Sequence, residues 1–354
     1  MRAAKSSPDR GRKYKSPRLA RKDSFNQFTE QSTRLIFAMA PTKSIIFGPT
    51  GRVGSAAARS AKHYGSQVVL AMRDTQKPIP SLSPEQEREG GYERIEADLT
   101  KPDTVQAAVN KTSAKRAFIY VDFSASDYMK STITALKLGG IEFVVLLSSW
   151  SVRGDVKAIQ PGNFLAWTHA QVEINLGEVF GQDGFVAVRP AWFASNALWY
   201  KNQIPNGEVK LAFPEPKVDW VSPEDIGELS GAFLTRGSQC LGSTDEANAV
   251  YMPGPEQLSQ RNAIGIIAKA IGKNIKVTQV GEQEGQEVFV RTTGLPERLV
   301  KQLLLQQKTA DKEGPWLFVD PHYETALGNV KKYLAREPMR FHEWVEENKQ
   351  EFVI

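Results

Sequence analysis

Short apolar runs alternate with longer amphipathic stretches from Ser44 onward. The runs at 44–47, 67–72, 92–96, 116–121, 141–148 and 185–189 read as strands, and most segments between them read as helices, apart from a Pro/Glu-rich loop at 75–91. Apolar strands separated by helical patterns predict a parallel sheet covered on both faces. Right-handed crossovers then put a ligand outside the carboxyl ends of the strands, at the switch point of the sheet. The rhythm changes after Pro190, where Trp192, Phe193, Trp199 and Tyr200 crowd together before a Pro/Gly-rich passage. Ser222-Pro-Glu-Asp225 reads as a helix start with Ser222 as cap. A strand at 249–252, a helix at 258–271, a strand at 275–280 and helices at 297–308 and 341–349 complete the pattern. The expected fold is therefore α/β, a Rossmann-type doubly wound sheet with a smaller C-terminal α/β substrate lobe. Its divisions are a disordered basic extension at 1–38, a dinucleotide-binding domain at 39–253, and a mostly helical lobe at 254–354 that packs with segment 190–220.

The first strand meets Gly48-Pro-Thr-Gly-Arg-Val-Gly54 and then a run of alanines. Strand, tight turn and helix in that order suit a pyrophosphate: glycines allow the bend and the close approach, and the helix N-terminus supplies free N–H groups. Gly48, Thr50, Gly51, Arg52, Val53 and Gly54 are the expected turn contacts. Arg73 and Asp74 end the second strand, where the adenosine ribose is sensed. Arg73 leads, helped by Arg52, and so points to NADP(H), with NAD(H) as the alternative. Asp98, after the third strand, is placed for the adenine or for capping the helix that follows; Phe123 and Ser124, after the fourth, are placed for the centre of the cofactor.

Ser148 and Ser149 end the fifth strand, with Ser148 a candidate cofactor contact. A short-chain dehydrogenase follows such a serine with a tyrosine and, four residues on, a lysine that lowers its pKa. This chain has no tyrosine between Tyr128 and Tyr200; Trp167, Thr168, His169 and Glu173 stand in that region. His169 is the candidate for a ribose contact or a proton donor, with Ser149 beside it. Trp150, Trp192, Phe193 and Asn196 are candidates for the substrate wall, and Arg189 for fixing the sheet edge.

The glycine motif, Arg73, Leu147-Ser-Ser149 and the run Val188-Arg-Pro-Ala-Trp-Phe-Ala-Ser-Asn196 together resemble the NmrA-like family of atypical short-chain dehydrogenase/reductases, over roughly residues 43–310. Within it the chain is similar to the fungal branch of festuclavine/agroclavine dehydrogenases, in which a histidine replaces an active-site lysine; His169 matches that position. The resemblance implies either an NADP(H)-dependent reductase of an apolar carbonyl, enone, imine or quinone, or a dinucleotide sensor that regulates a protein partner without turnover.

Charge narrows the partners. Residues 1–38 hold ten Lys/Arg against three acids, a net +7, while the whole chain is +5 and the remainder −2. The folded body thus lacks the basic excess that nucleic-acid binding needs. Residues 1–38 read as an upstream extension preceding a natural start near Met39, with a targeting segment or a basic interaction arm as alternatives. One cysteine, Cys240, and four scattered histidines argue against a disulfide and against a metal. No apolar run nears the roughly 20 residues of a membrane span. The expected protein is a soluble cytoplasmic monomer or homodimer, with the nucleus or an organelle addressed by residues 1–38 as other destinations.

Overall fold

The computed structural model describes residues 42–240, 248–314 and 322–353. The described residues fall within one compact unit, whereas the basic extension at 1–38 lies outside them. Seven strands form the main sheet: β1 (Lys43–Phe47), β2 (Gln67–Met72), β3 (Glu93–Glu96), β4 (Arg116–Tyr120), β5 (Phe143–Leu147), β6 (Phe185–Pro190) and β9 (Ala249–Met252). Their order is β3-β2-β1-β4-β5-β6-β9, and every pairing is parallel, as in Ile45↔Val69 and Ile45↔Ala117. The order reverses between β1 and β4, which makes the carboxyl ends of these strands the binding edge.

Alternation along the strands feeds two cores. Ile45, Phe47 and Val69 face a layer containing Val105, Ile133 and Val172, from α3 (Pro102–Thr112), α4 (Lys130–Gly139) and α5 (Phe164–Phe180). Ile46, Val68 and Leu70 face the other way, against α1 (Arg52–His63) and α6 (Pro223–Arg236). The two latter helices meet through small residues. A Cβ on Gly227 would stand 2.3 Å from that of Ala56 and 2.7 Å from the carbonyl oxygen of Val53, so the backbones approach closely only because Gly227 has none.

The stretch at 75–91, expected to be loop, contains α2 (Pro84–Gly90). Ser83 accepts from the Gln86 N–H, and Gln86 returns the bond to the Ser83 N–H; this reciprocal cap starts a helix that propensity alone would not support. Segment 190–220 likewise holds more structure than its Pro/Gly content suggests, namely β7 (Glu208–Leu211) and β8 (Lys217–Asp219). β7 pairs in parallel with β11 (Lys276–Gln279), and β8 pairs antiparallel with β10 (Gln257–Ser259). The helix expected over 258–271 begins at Gln260 instead, because Ser259 caps it through Asn262; it is α7 (Gln260–Ala270). Around these strands pack α8 (Glu282–Thr293), α9 (Glu297–Glu313) and α12 (Phe341–Asn348), with a core of Trp220, Ile264, Phe341, Trp344 and Phe352. Between α9 and α12, α10 (Tyr323–Leu327) and α11 (Asn329–Leu334) return to the main sheet, where Tyr323 joins Trp150 and Tyr251, and Val330 and Leu334 join the core under α6.

Gly227→Val is expected to destabilise the protein by about 1–3 kcal/mol through overpacking, read as a lower midpoint of chemical denaturation.

Candidate functional site

At the end of β1 the chain turns through Gly48, whose φ is 70°, and enters α1 at Arg52. A Cβ on Gly54 would lie 2.2 Å from the Gly48 carbonyl oxygen; the helix therefore starts tight against the strand, and its first N–H groups stay open to a ligand. No acidic residue occupies the first turn of α1. Gly48, Thr50, Gly51, Arg52, Val53 and Gly54 line a groove of about 670 Å³, completed by Tyr120, Leu147, Phe193, Asn196, Trp199 and Lys201 among others. These residues fit a dinucleotide: glycine backbone at the turn, an aromatic ring at the end of β4, and no carboxylate in the lining.

The predicted cofactor residues do not all converge there. Arg73 is exposed at the end of β2 and makes no ion pair among the described residues, but it stands near Asp98 and Tyr120, whose ionisation it favours. Asp98 accepts from the backbone and hydroxyl of Thr100 at 3.0 and 2.8 Å, so its carboxylate is engaged in the turn before α3. Ser124 donates to Asp122 at 2.8 Å and lines neither cavity described here. Arg52 lines the groove, yet its guanidinium donates to Asn348 at 2.8 Å and pairs with Glu351, beside the Trp344 ring. The C-terminal segment, far away in sequence, has taken that charge.

A second cavity of about 350 Å³ adjoins the groove and shares Phe193 and Asn196 with it. Its walls are Phe123, Ser148, Ser149 and Trp150 from the sheet edge, Leu165 and His169 from α5, Pro190 to Phe193 after β6, residues 216–219 around β8, and Leu299, Leu303, Gln306, Gln307 and Ala310 from α9. Arg298 covers the Phe164 ring at 3.9 Å and so fastens α9 to the start of α5. The lining is mainly apolar, as small-molecule sites are.

His169 is buried, 7% exposed. Its Nδ1 lies 2.8 Å from the Leu165 carbonyl oxygen, so Nδ1 carries the proton and Nε2 presents a lone pair. Burial pushes its pKa below the usual imidazole value, outweighing the opposite pull of that hydrogen bond and of Glu173. That shift favours the neutral ring, whose Nε2 can accept a hydrogen bond. Phe123 stands edge-on to it at 5.4 Å.

One turn further along α5, Glu173 organises the interior. It pairs with Arg189 at 2.6 Å, with both side chains 4% exposed, and accepts from the Ser148 hydroxyl at 2.5 Å. Arg189 also donates to the Tyr251 hydroxyl at 2.8 Å, which in turn donates to the Val152 carbonyl at 3.1 Å. Ser148 is therefore a structural partner at the cavity wall, and Arg189 holds the sheet edge through the Glu173 carboxylate and the Tyr251 phenol. The four-residue spacing from His169 to Glu173 was the available signal for this role.

The Ser149 and Ser151 hydroxyls bond each other at 2.8 Å. Two hydroxyls in one mutual bond leave one O–H to donate elsewhere. Trp150 lines the cavity while almost wholly enclosed, 1% exposed and packed on Tyr251 at 4.7 Å and Tyr323 at 6.2 Å. Trp192 meets Trp199 at 5.6 Å and Trp220 at 6.4 Å, and its indole N–H has no partner among the described residues. Asp219, which the sequence reading did not single out, is fully buried and lines the cavity. It accepts from the backbone of Trp192 at 3.2 Å and of Gly254 at 2.6 Å, and burial raises its pKa to about 7. Among the described residues no cluster of His, Cys, Asp and Glu could hold a metal, and no helix is long and apolar enough to cross a membrane.

No protein-family profile matches the chain. It is 35% identical over 319 residues to the nitrogen metabolite regulation-like protein bik4 of Gibberella fujikuroi, covering 86% of this chain and 95% of that one. The chain belongs to the NmrA-like family. Among solved structures, this NmrA-like chain resembles a Citrobacter triphenylmethane reductase complexed with NADP(H), with a TM-score of 0.63, 14% identity, and 86% and 99% of the two chains covered. It also resembles the Vitis vinifera leucoanthocyanidin reductase–NADPH complex, with a TM-score of 0.57, 16% identity, and 87% and 99% covered. At such identities the likeness shows the fold alone, a Rossmann-type sheet.

Glu173→Ala removes the carboxylate that pairs with the buried Arg189, and is expected to cost about 3–5 kcal/mol of stability, measured by chemical denaturation. In the folded protein one aspartate carboxyl should titrate near pH 7, visible by carbon-13 NMR and absent in Asp219→Asn. Because that pKa lies above the ordinary 3.8, the contribution of Asp219 to stability falls as pH rises between those values.

Proposed function

We propose that this NmrA-like protein is an NADP(H)-dependent oxidoreductase that reduces an apolar carbonyl, enone, imine or quinone. The observation that carries the reading is the shared wall: Phe193 and Asn196 border both the glycine-turn groove and the apolar cavity. A cofactor seated in the groove supplies hydride, and the protein contributes position, exclusion of water and hydrogen bonds. The named complexes of triphenylmethane reductase with NADP(H) and leucoanthocyanidin reductase with NADPH support this choice of cofactor. Arg73, exposed just after β2 and near the groove residue Tyr120, suits a 2′-phosphate.

Within the cavity, the O–H left over by Ser149 and Ser151 donates to the acceptor oxygen or nitrogen as negative charge builds there. The neutral His169 accepts through Nε2, orienting a hydroxyl of cofactor or substrate. No tyrosine acid is present in this part of the chain, so the acceptor itself must be activated; quinones, enones and iminium-type groups meet that demand better than simple ketones.

The second reading, a dinucleotide sensor without turnover, is favoured by the engaged state of Ser148, whose hydroxyl is locked on Glu173, and by the regulatory name of the bik4 relative. Following NADPH absorbance with quinones, enones and imines separates the two. Consumption with one acceptor class, reduced at least tenfold in His169→Ala, is the expected outcome; tight NADPH binding with no consumption by any acceptor would establish the sensor. Arg73→Ala should weaken NADPH about tenfold, by the loss of a charge-assisted contact, and leave NADH affinity unchanged in calorimetry.

A further inference from the structure

The groove lining contains two cations, Arg52 and Lys201, and no Asp or Glu. A pyrophosphate brings two negative charges to the glycine turn, where helix N–H groups solvate it but only a side-chain cation neutralises it. Arg52 is already bound by Asn348 and Glu351. Lys201 is exposed and makes no hydrogen bond or ion pair through its ammonium group among the described residues.

The backbone beneath Lys201 is held in place. It follows a 3-10 segment, Ala194–Tyr200, and its N–H donates to the Leu198 carbonyl. Trp199 packs on Phe289 of α8 at 5.2 Å, and the Asn202 side-chain amide donates to the Thr292 carbonyl at 2.6 Å. The four-carbon stem thus rises from a fixed base in the same groove as the glycine turn, which lowers the entropy lost when its ammonium meets a ligand.

We propose that Lys201 is a pyrophosphate-binding residue, supplied by the segment outside the glycine turn, that neutralises the charge Arg52 is not free to meet. Because the segment 193–202 also carries Phe193 and Asn196, the same contact ties the wall of the apolar cavity to cofactor occupancy. The inference rests on the NADP(H) reading above.

Calorimetry of the full chain with NADPH, 2′-phospho-ADP-ribose and 2′-AMP tests it, since only the first two carry a pyrophosphate. Lys201→Gln should weaken both about tenfold, leave 2′-AMP unchanged, and flatten the salt dependence of NADPH binding; Lys201→Arg should restore affinity to within a few fold. Unchanged NADPH affinity in Lys201→Gln, or an equal loss for 2′-AMP, overturns the assignment while leaving the cofactor reading intact. Failure of the wild type to bind any of the three overturns both.

Discussion

The buried pair of Glu173 and Arg189 joins the helix that carries His169 to the strand that leads into Trp192, Phe193 and Asn196. Two charges 2.6 Å apart and almost fully enclosed repay their desolvation only if their remaining hydrogen-bonding capacity is met. Ser148 and Tyr251 meet it, one from the residue just after β5 and one from β9. Three adjacent strands and α5 are thereby held in one arrangement at the carboxyl edge of the sheet. The cavity wall inherits its shape from that arrangement, since the elements holding the pair also carry Ser149, His169 and Pro190.

The same pair bears on chemistry. Four residues after His169 stands an anion, Glu173, already neutralised by Arg189. His169 therefore receives little help in becoming charged, and burial keeps it neutral. The result is a site able to orient groups and accept hydrogen bonds, with one hydroxyl donor left by the Ser149–Ser151 pair, and without a strong acid. Such a site suits the proposed reduction of acceptors that need little protonation in the transition state.

Much of the sheet was legible in the chain because parallel strands buried on both faces must be short and almost wholly apolar; runs such as those at 67–72 and 143–147 have few other uses. The glycine turn was legible because the close contact of Gly54 with Gly48 excludes any side chain at that position. Segment 75–91 misled because Pro and Glu read as loop, while the Ser83–Gln86 reciprocal bond starts a helix that only local geometry reveals. Residues 208–219 misled in the same way, because β7 and β8 are short and are stabilised by partners some forty to seventy residues downstream.

By itself the sequence determined the Rossmann-type sheet, the position of the turn, and the absence of the tyrosine–lysine pair, all of which follow from local periodicity, glycine placement and residue identity. Tertiary structure alone decided which polar groups are available. Arg52 and Arg73 look alike as residues, yet one is engaged by the C-terminal segment and the other is exposed; Ser148 and Ser149 are neighbours, yet one is locked on Glu173 and the other shares its hydroxyl bond at the cavity wall. The physical reason is that a side chain's charge and hydrogen-bonding capacity are local properties, whereas their engagement depends on partners that only the folded chain brings within about 3 Å.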